Sequence, residues 1–186
     1  MSLSLKKIVL LGPESTGKTT LCQQLAKHFD TLWVEEYARH YLNTNGKEYT
    51  KSDIDNIVLG QIQNEEATTQ LLHKNISPYL QQSATLFIDT DLYVLKIWSE
   101  IAFNHCNNKI LNEIASRKYD LYLLCEPDIP WEKDALREHP DEKIRTKIFH
   151  HYKDAMIHQH VPWQIINGKY EERLARAIDA VNKLFF

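Results

Sequence analysis

Residues 12–19 read GPESTGKT, and a second threonine, Thr20, follows them. Every fixed position matches the phosphate-loop pattern G-x-x-x-x-G-K-[ST]. An apolar run, residues 7–11, leads into this stretch, and residues 19–29 leave it with their apolar side chains on one helical stripe. Two glycines let successive backbone N–H groups turn toward phosphate oxygens, and the helix adds the positive end of its dipole. The stretch therefore predicts a bound nucleoside triphosphate.

Within this loop we expect Lys18 to reach the β- and γ-phosphates and the hydroxyl of Thr19 to bind Mg²⁺. ATP is the expected phosphoryl donor, and a close relative of ATP fits the same pattern. The predicted nucleotide-binding residues are Gly12, Glu14, Ser15, Thr16, Gly17, Lys18, Thr19 and Thr20.

Five short apolar runs alternate with helical patterns along the chain. The runs cover residues 7–11, 32–35, 85–89, 121–125 and 164–167. Most are continuously apolar, as is typical of parallel strands covered on both faces. Helical periodicity is found at residues 19–29, 50–74, 92–103 and 171–184. The alternation predicts a three-layer α/β fold with a mostly parallel, five-stranded sheet.

Residues 130–160, between the last two predicted strands, are rich in charge and show little apolar face. We expect them to form a helical lid over the nucleotide, within a single domain that spans residues 1–186. Arg137 and Arg145 lie in this stretch, and at least one is expected to contact phosphate, since arginine suits phosphate oxygens and a cation stabilises phosphoryl transfer. For either arginine alone, a surface salt bridge is an equally good interpretation.

Acidic residues end two of the predicted strands, at the sheet edge where ligands of open α/β folds bind. Asp89 follows an apolar run and is the expected carboxylate of a Mg²⁺ site. Glu35 or Glu36 is expected to take the proton of an acceptor hydroxyl, and the alternation of side chains along a strand lets only one of them face the site. Asp91 competes for this role, or else caps the next helix.

Composition limits the classes of partner. The chain has 22 basic and 25 acidic residues, a net charge of −3 and no basic stripe, which argues against a nucleic-acid partner. No segment approaches the roughly 20 apolar residues of a membrane span. Its three cysteines are far apart and form no CxxC pair, as is typical of a reduced, cytoplasmic protein. Small-molecule partners are expected, and the oligomeric state is left open.

Four segments together resemble one family. They are residues 12–20 (GPESTGKTT), 34–42 (VEEYARHYL), 87–100 (FIDTDLYVLKIWSE) and 119–137 (YDLYLLCEPDIPWEKDALR). In this order, and over most of the chain, they are similar to the ribosylnicotinamide kinase domain of NadR-type NAD-biosynthesis proteins. The resemblance implies a P-loop fold of the nucleoside-kinase kind. It also implies phosphorylation of the ribose 5′-hydroxyl of nicotinamide riboside, with ATP and Mg²⁺, to give nicotinamide mononucleotide.

The resemblance also implies roles for residues. Lys18 and Thr19 hold phosphate and Mg²⁺, Asp89 is the metal-side carboxylate, and Arg137 is the lid arginine. The residues implied or proposed for the acceptor pocket are Glu35, Glu36, Tyr37, Arg39, Asp91, Trp98 and Trp131. The aromatic members of this set are candidates for stacking on a heterocycle, although such residues more often pack in a core or at its rim.

Longer members of the family carry a DNA-binding helix-turn-helix and an adenylyltransferase domain before the kinase. This sequence begins at the first strand of the kinase and contains no H-x-G-H motif, so we expect both activities to be absent or to reside on another chain. Two other functions stay open: a kinase for another nucleoside or small alcohol, and a nucleotide-dependent switch without an acceptor. The acidic residues at two strand ends favour a kinase over a switch.

Overall fold

The computed structural model describes residues 5–75 and 84–185, and the elements below belong to these two stretches. In chain order they are β1 (Leu5–Leu11), α1 (Lys18–His28), β2 (Trp33–Val34), α2 (Tyr37–Asn45), α3 (Lys51–Asn75), β3 (Ala84–Asp89), α4 (Leu92–Phe103), α5 (Asn108–Ser116), β4 (Leu121–Cys125), α6 (Glu142–Ile157), β5 (Trp163–Ile166) and α7 (Tyr170–Asn182). None of the described helices is long and apolar enough to cross a bilayer.

The five strands form one sheet in the order β2-β3-β1-β4-β5, and every pair is parallel. Helices α1 and α7 cover one face, where Leu25 and Val181 are fully buried. Helices α3, α4 and α6 cover the other face, where Ile97 and Met156 are buried. The continuously apolar strands fit this double cover. The predicted three-layer fold with a parallel five-stranded sheet is therefore confirmed.

The second strand is shorter than predicted. It ends at Val34, and Glu36 is already the N-cap of α2, so the chain turns one residue earlier than the apolar run indicates. Helix α2 was not predicted because only Ala38 and Leu42 of its nine residues are buried, too few for a clear stripe.

The prediction that residues 130–160 show little apolar face is wrong for their second half. These residues form α6, which buries Ile148, Phe149, Tyr152 and Met156 against the sheet. The four side chains follow helical spacing, but the many charged residues between them hid the pattern. Only the loop before α6 is left as the predicted lid.

Helix α3 begins at a capping box formed by Thr50 and Asp53. The backbone N–H of Thr50 donates to the carboxylate of Asp53 at 2.8 Å, and the N–H of Asp53 approaches the hydroxyl of Thr50 at 3.4 Å. Each side chain thus satisfies a backbone donor of the other residue.

Gly60, in the middle of α3, lets the ring of Tyr37 pack directly on the helix. A Cβ atom at this position would overlap three ring carbons of that tyrosine. We expect Gly60→Ala to lower the free energy of unfolding by about 1–3 kcal/mol, because the overlap outweighs the better helix propensity of alanine. Urea denaturation measures the change, and Leu59→Ala, at an exposed neighbouring position, is the control. A Gly60→Ala protein more stable than wild type would contradict this packing.

Candidate active site

The phosphate loop joins the end of β1 to the start of α1. Gly12 has a φ of 137°, and a Cβ atom there would lie 2.5 Å from the carbonyl oxygen of Cys125, so only glycine fits. Gly17 is the N-cap of α1, whose first backbone N–H groups lack partners within the helix. The side-chain nitrogen of Lys18 donates to the carbonyl oxygens of Gly12 (3.0 Å) and Pro13 (2.9 Å). The loop is built to receive anionic phosphate.

A buried carboxylate stands behind the loop. Asp89 ends β3 beside Leu10 of β1, and its Oδ2 accepts a hydrogen bond from the hydroxyl of Thr19 at 2.5 Å. Its Oδ1 is buried and has no hydrogen-bond partner among the described residues. Burial, followed by the negative charge of Glu36, raises the pKa of Asp89 above its usual range. A carboxylate oxygen without a partner beside a hydroxyl is a donor set that suits Mg²⁺, so these residues fit the predicted metal.

A glutamine of α3 fixes Glu36 near these groups. Oε1 of Glu36 lies 3.4 Å from the hydroxyl of Thr90. The buried side chain of Gln61 accepts from the N–H of Tyr37 at 2.8 Å and donates to the carbonyl oxygen of Thr90 at 3.0 Å. Gln61 thereby joins the loop after β2 to the loop after β3. A polar residue at an inward position of α3 was the only signal of this role in the sequence.

Glu36 and the phosphate loop border a cavity of about 220 Å³. Its lining also includes a set of apolar side chains, called the apolar wall below: Leu42, Val94, Ile97, Trp98, Ile148 and Tyr152. Among the predicted site residues, the eight of the phosphate loop together with Glu36, Arg39, Trp98 and Arg137 line the cavity.

Two residues expected near the acceptor lie outside this cavity. Glu35 is exposed, because β2 ends before it and the turn into α2 directs Glu36 to the site instead. The ring of Tyr37 packs against Gly60 and belongs to a core cluster between α2, α3 and α4. Of the acidic pair, only Glu36 faces the phosphate loop.

Asp91 and Trp131 are also placed elsewhere. Asp91 is buried and caps α4, where its Oδ1 accepts from the N–H of Tyr93 at 3.0 Å, and burial raises its pKa to about 7. Trp131 is half-buried in the loop after β4. That loop turns its backbone toward the phosphate loop, since the N–H of Glu132 donates to the hydroxyl of Ser15 at 3.0 Å.

The loop before α6, residues 126–141, lies over the phosphate loop and is called the covering loop below. Nη1 of Arg137 donates to the hydroxyl of Ser15 at 3.2 Å. The carboxylate of Glu14 accepts from the backbone N–H groups of Glu138 (2.9 Å) and His139 (2.5 Å). Two side chains of the phosphate loop therefore hold the covering loop in place.

Two more arginines belong to this region. Arg39 lines the cavity and pairs with Asp134 of the covering loop at 3.0 Å. Arg145 of α6 is only 4% exposed, and its Nε and Nη1 have no hydrogen-bond partner among the described residues. Ile148 and Tyr152, three and seven positions later, line the cavity, so Arg145 shares their helix face.

A buried arginine that the sequence patterns did not indicate supports the phosphate loop from the other side. Arg173 of α7 is 3% exposed and donates to the carbonyl oxygens of Thr16 (3.0 Å), Gly168 (2.8 Å) and Glu126 (2.7 Å). It also pairs with the carboxylate of Asp128. It thereby ties the phosphate loop to the loops after β4 and β5. Its position within an amphipathic helix was the only hint in the sequence.

Comparison with known families identifies the fold. A family model described as an AAA domain matches residues 7–173. The chain belongs to this AAA domain family. The trifunctional NAD biosynthesis/regulator protein NadR of Salmonella typhimurium is 26% identical to this AAA domain over 185 residues, and the Escherichia coli NadR protein is 25% identical over 184. Both alignments cover 96% of the chain but 42% of the relative, so the resemblance to NadR-type proteins is confirmed over about two fifths of their length.

Solved structures agree with this assignment. A crystal structure of NadR protein in complex with NR superposes on the AAA domain with a TM-score of 0.75 at 25% identity, covering 96% of this chain and 49% of the other. Thymidylate kinase from Ehrlichia chaffeensis superposes with a TM-score of 0.66 at 14% identity, covering 96% and 99%. The second likeness concerns the fold alone. The fold is that of the P-loop kinases.

Proposed function

We propose that this chain transfers the γ-phosphoryl group of ATP to the ribose 5′-hydroxyl of nicotinamide riboside, giving nicotinamide mononucleotide. The observation that carries the proposal is one cavity whose lining combines a phosphate loop, the Glu36 carboxylate and the apolar wall with its aromatic rings. A nucleotide-dependent switch needs neither a carboxylate nor an apolar wall beside its phosphate loop. The NadR structure in complex with NR, which matches nearly the whole chain, supports this choice of acceptor.

Glu36 is the proposed proton acceptor. In the transfer, the 5′-oxygen bonds to the γ-phosphorus while the bond from that phosphorus to the β,γ-bridging oxygen breaks. ADP leaves with the electron pair, and the hydroxyl proton passes to the carboxylate of Glu36. Gln61 orients this carboxylate indirectly, because it fixes the start of α2 against the loop after β3.

Positive charge around the transferred group comes from three proposed residues. Lys18 reaches the β- and γ-phosphates, and Arg137 enters from the covering loop, which we propose as the lid. Arg145 is the third, because two nitrogens of its buried guanidinium have no hydrogen-bond partner among the described residues, which is costly, and phosphate oxygens would satisfy them. Thr19 and Asp89 would hold Mg²⁺, which when bound neutralises charge on the phosphate oxygens.

The apolar wall suits the nicotinamide ring. This ring is planar and carries a positive charge in the riboside, and a cation is attracted to the faces of aromatic side chains. Trp98 and Tyr152 both line the cavity and supply such faces. Uridine and thymidine have neutral bases of similar size and gain less from this wall.

A panel of acceptors with ATP and Mg²⁺ tests the proposal. We expect kcat/KM for nicotinamide riboside to exceed that for uridine or thymidine by at least about tenfold. A substrate that makes one more favourable contact in a pocket than its competitor is typically preferred by this factor or more. ADP formation without any acceptor is the control for simple hydrolysis. If a neutral nucleoside ranks equally, the acceptor assignment fails. If ADP forms and no riboside is phosphorylated, the chain is a switch or hydrolase.

A further inference from the structure

A chain of hydrogen bonds connects the apolar wall of the cavity to the phosphate loop through the covering loop. Nε1–H of Trp98 donates to the hydroxyl oxygen of Tyr49 at 2.8 Å. The Tyr49 hydroxyl in turn donates to Oε2 of Glu138 at 3.1 Å. The backbone N–H groups of Glu138 and its neighbour His139 donate to the carboxylate of Glu14 in the phosphate loop.

Tyr49 lies in the middle of this series of hydrogen bonds. It lies between α2 and α3 and packs edge-on against Trp98, with ring centroids 4.7 Å apart, and against Phe103 at 5.9 Å. Burial raises the pKa of its phenol, so the hydroxyl keeps its proton and can donate to Glu138. Tyr49 itself does not line the cavity, whereas its two hydrogen-bond partners, Trp98 and Glu138, do.

We infer that Tyr49 is a positioning residue that couples occupancy of the acceptor wall to closure of the covering loop over the donor phosphates. This inference rests on the proposed function, because it takes the wall at Trp98 to be the acceptor side. An acceptor that packs on Trp98 fixes the indole, the indole orients the Tyr49 hydroxyl, and Tyr49 holds Glu138. The loop then presents its N–H groups to Glu14 and Arg137 to the phosphates. Donor and acceptor therefore strengthen each other's binding by an equal factor.

The variant Tyr49→Phe tests this role with little disturbance to packing, because it removes only the hydroxyl. Tyr41→Phe is a matched control. Tyr41 also both donates and accepts, to Asp53 at 2.6 Å and from Asn56 at 3.2 Å, but it lies outside the cavity. Both variants lose one hydroxyl group that makes two hydrogen bonds, so a nonspecific effect on folding appears in both.

Hydrogen–deuterium exchange of residues 132–141 is the first measurement, and it needs no acceptor. We expect these amides to exchange about three- to tenfold faster in Tyr49→Phe than in wild type, since the loss of one solvent-exposed hydrogen bond loosens the loop by roughly this factor. Tyr41→Phe should match wild type. Equal exchange in wild type and Tyr49→Phe overturns the inference, whatever the acceptor proves to be.

The second measurement is the dissociation constant of ADP with and without saturating nicotinamide riboside. The ratio of the two constants is the coupling factor, and we expect it to fall about three- to tenfold in Tyr49→Phe while Tyr41→Phe keeps the wild-type value. A ratio that Tyr49→Phe leaves unchanged overturns the inference. Wild-type protein that binds ADP but not nicotinamide riboside contradicts the proposed function instead, and the exchange comparison then decides the role of Tyr49 alone.

Discussion

Lys18→Ala is expected to lower kcat by on the order of a hundred- to a thousandfold, while the protein folds as the wild type does. The loss is large because the ammonium group is a fixed positive charge at the oxygens where charge develops, and removing one such donor costs this much in other active sites. In the structure its nitrogen donates hydrogen bonds only to the carbonyl oxygens of Gly12 and Pro13 among the described residues. The fold therefore loses little when it is removed.

Steady-state kinetics and thermal unfolding of the same preparation check this expectation. Lys27→Ala is the control, because Lys27 is exposed in the last turn of the same helix, far from the phosphate loop. It should retain wild-type turnover. Unfolding of Lys18→Ala at room temperature would show that the lysine is structural, and near-normal turnover would remove it from phosphate binding.

Glu36→Gln and Glu35→Gln are expected to differ sharply. Glutamine keeps the size of the side chain but does not accept the proton, so Glu36→Gln should reduce kcat by about 10²–10⁴-fold, the usual contribution of a general base. Glu35→Gln should stay within about twofold, because surface substitutions away from a site change little. Glu35 is exposed and outside the cavity, whereas Glu36 lines it.

Single-turnover rates with saturating ATP isolate the chemical step, and the dissociation constant of ADP should be unchanged in both variants. The two residues are adjacent and chemically identical, so each serves as the control for the other. Equal and small effects would mean that Glu36 does not take the proton. Equal and large effects would mean that the turn into α2, rather than one carboxylate, matters for turnover.

Local patterns predicted the centre of the fold correctly. The phosphate loop needs two glycines and a lysine at fixed spacing, and its conformation depends on backbone geometry within eight residues. The position of Asp89 beside the phosphate loop could be predicted in the same way, since this residue ends an apolar run that pairs with β1 in a parallel sheet. Both features depend on short-range spacing and on the direction in which parallel strands end.

Side chains outside these strands were harder to place. Asp91 and Trp131 were assigned to the acceptor pocket, but helix capping directs the first to a backbone N–H, and the second lies in a loop that turns its backbone to the site. Arg173 and Gln61 were missed because a polar side chain at an inward helix position has no local pattern that names its partners. Apart from Gly168, five positions before Arg173, their partners are between 24 and 157 positions away in the chain.

The sequence by itself determined that residues 12–20 have the phosphate-loop pattern, and so predicted that they bind a nucleoside triphosphate, because such a loop holds phosphate with backbone N–H groups and a lysine at fixed local spacing. Only the tertiary structure decided which carboxylate faces it. The end of β2 at Val34 and the bridge made by Gln61 bring Glu36 into the cavity and leave Glu35 in solvent. A one-residue change in where a strand ends reverses the direction of a side chain, and that end is determined by packing between distant segments.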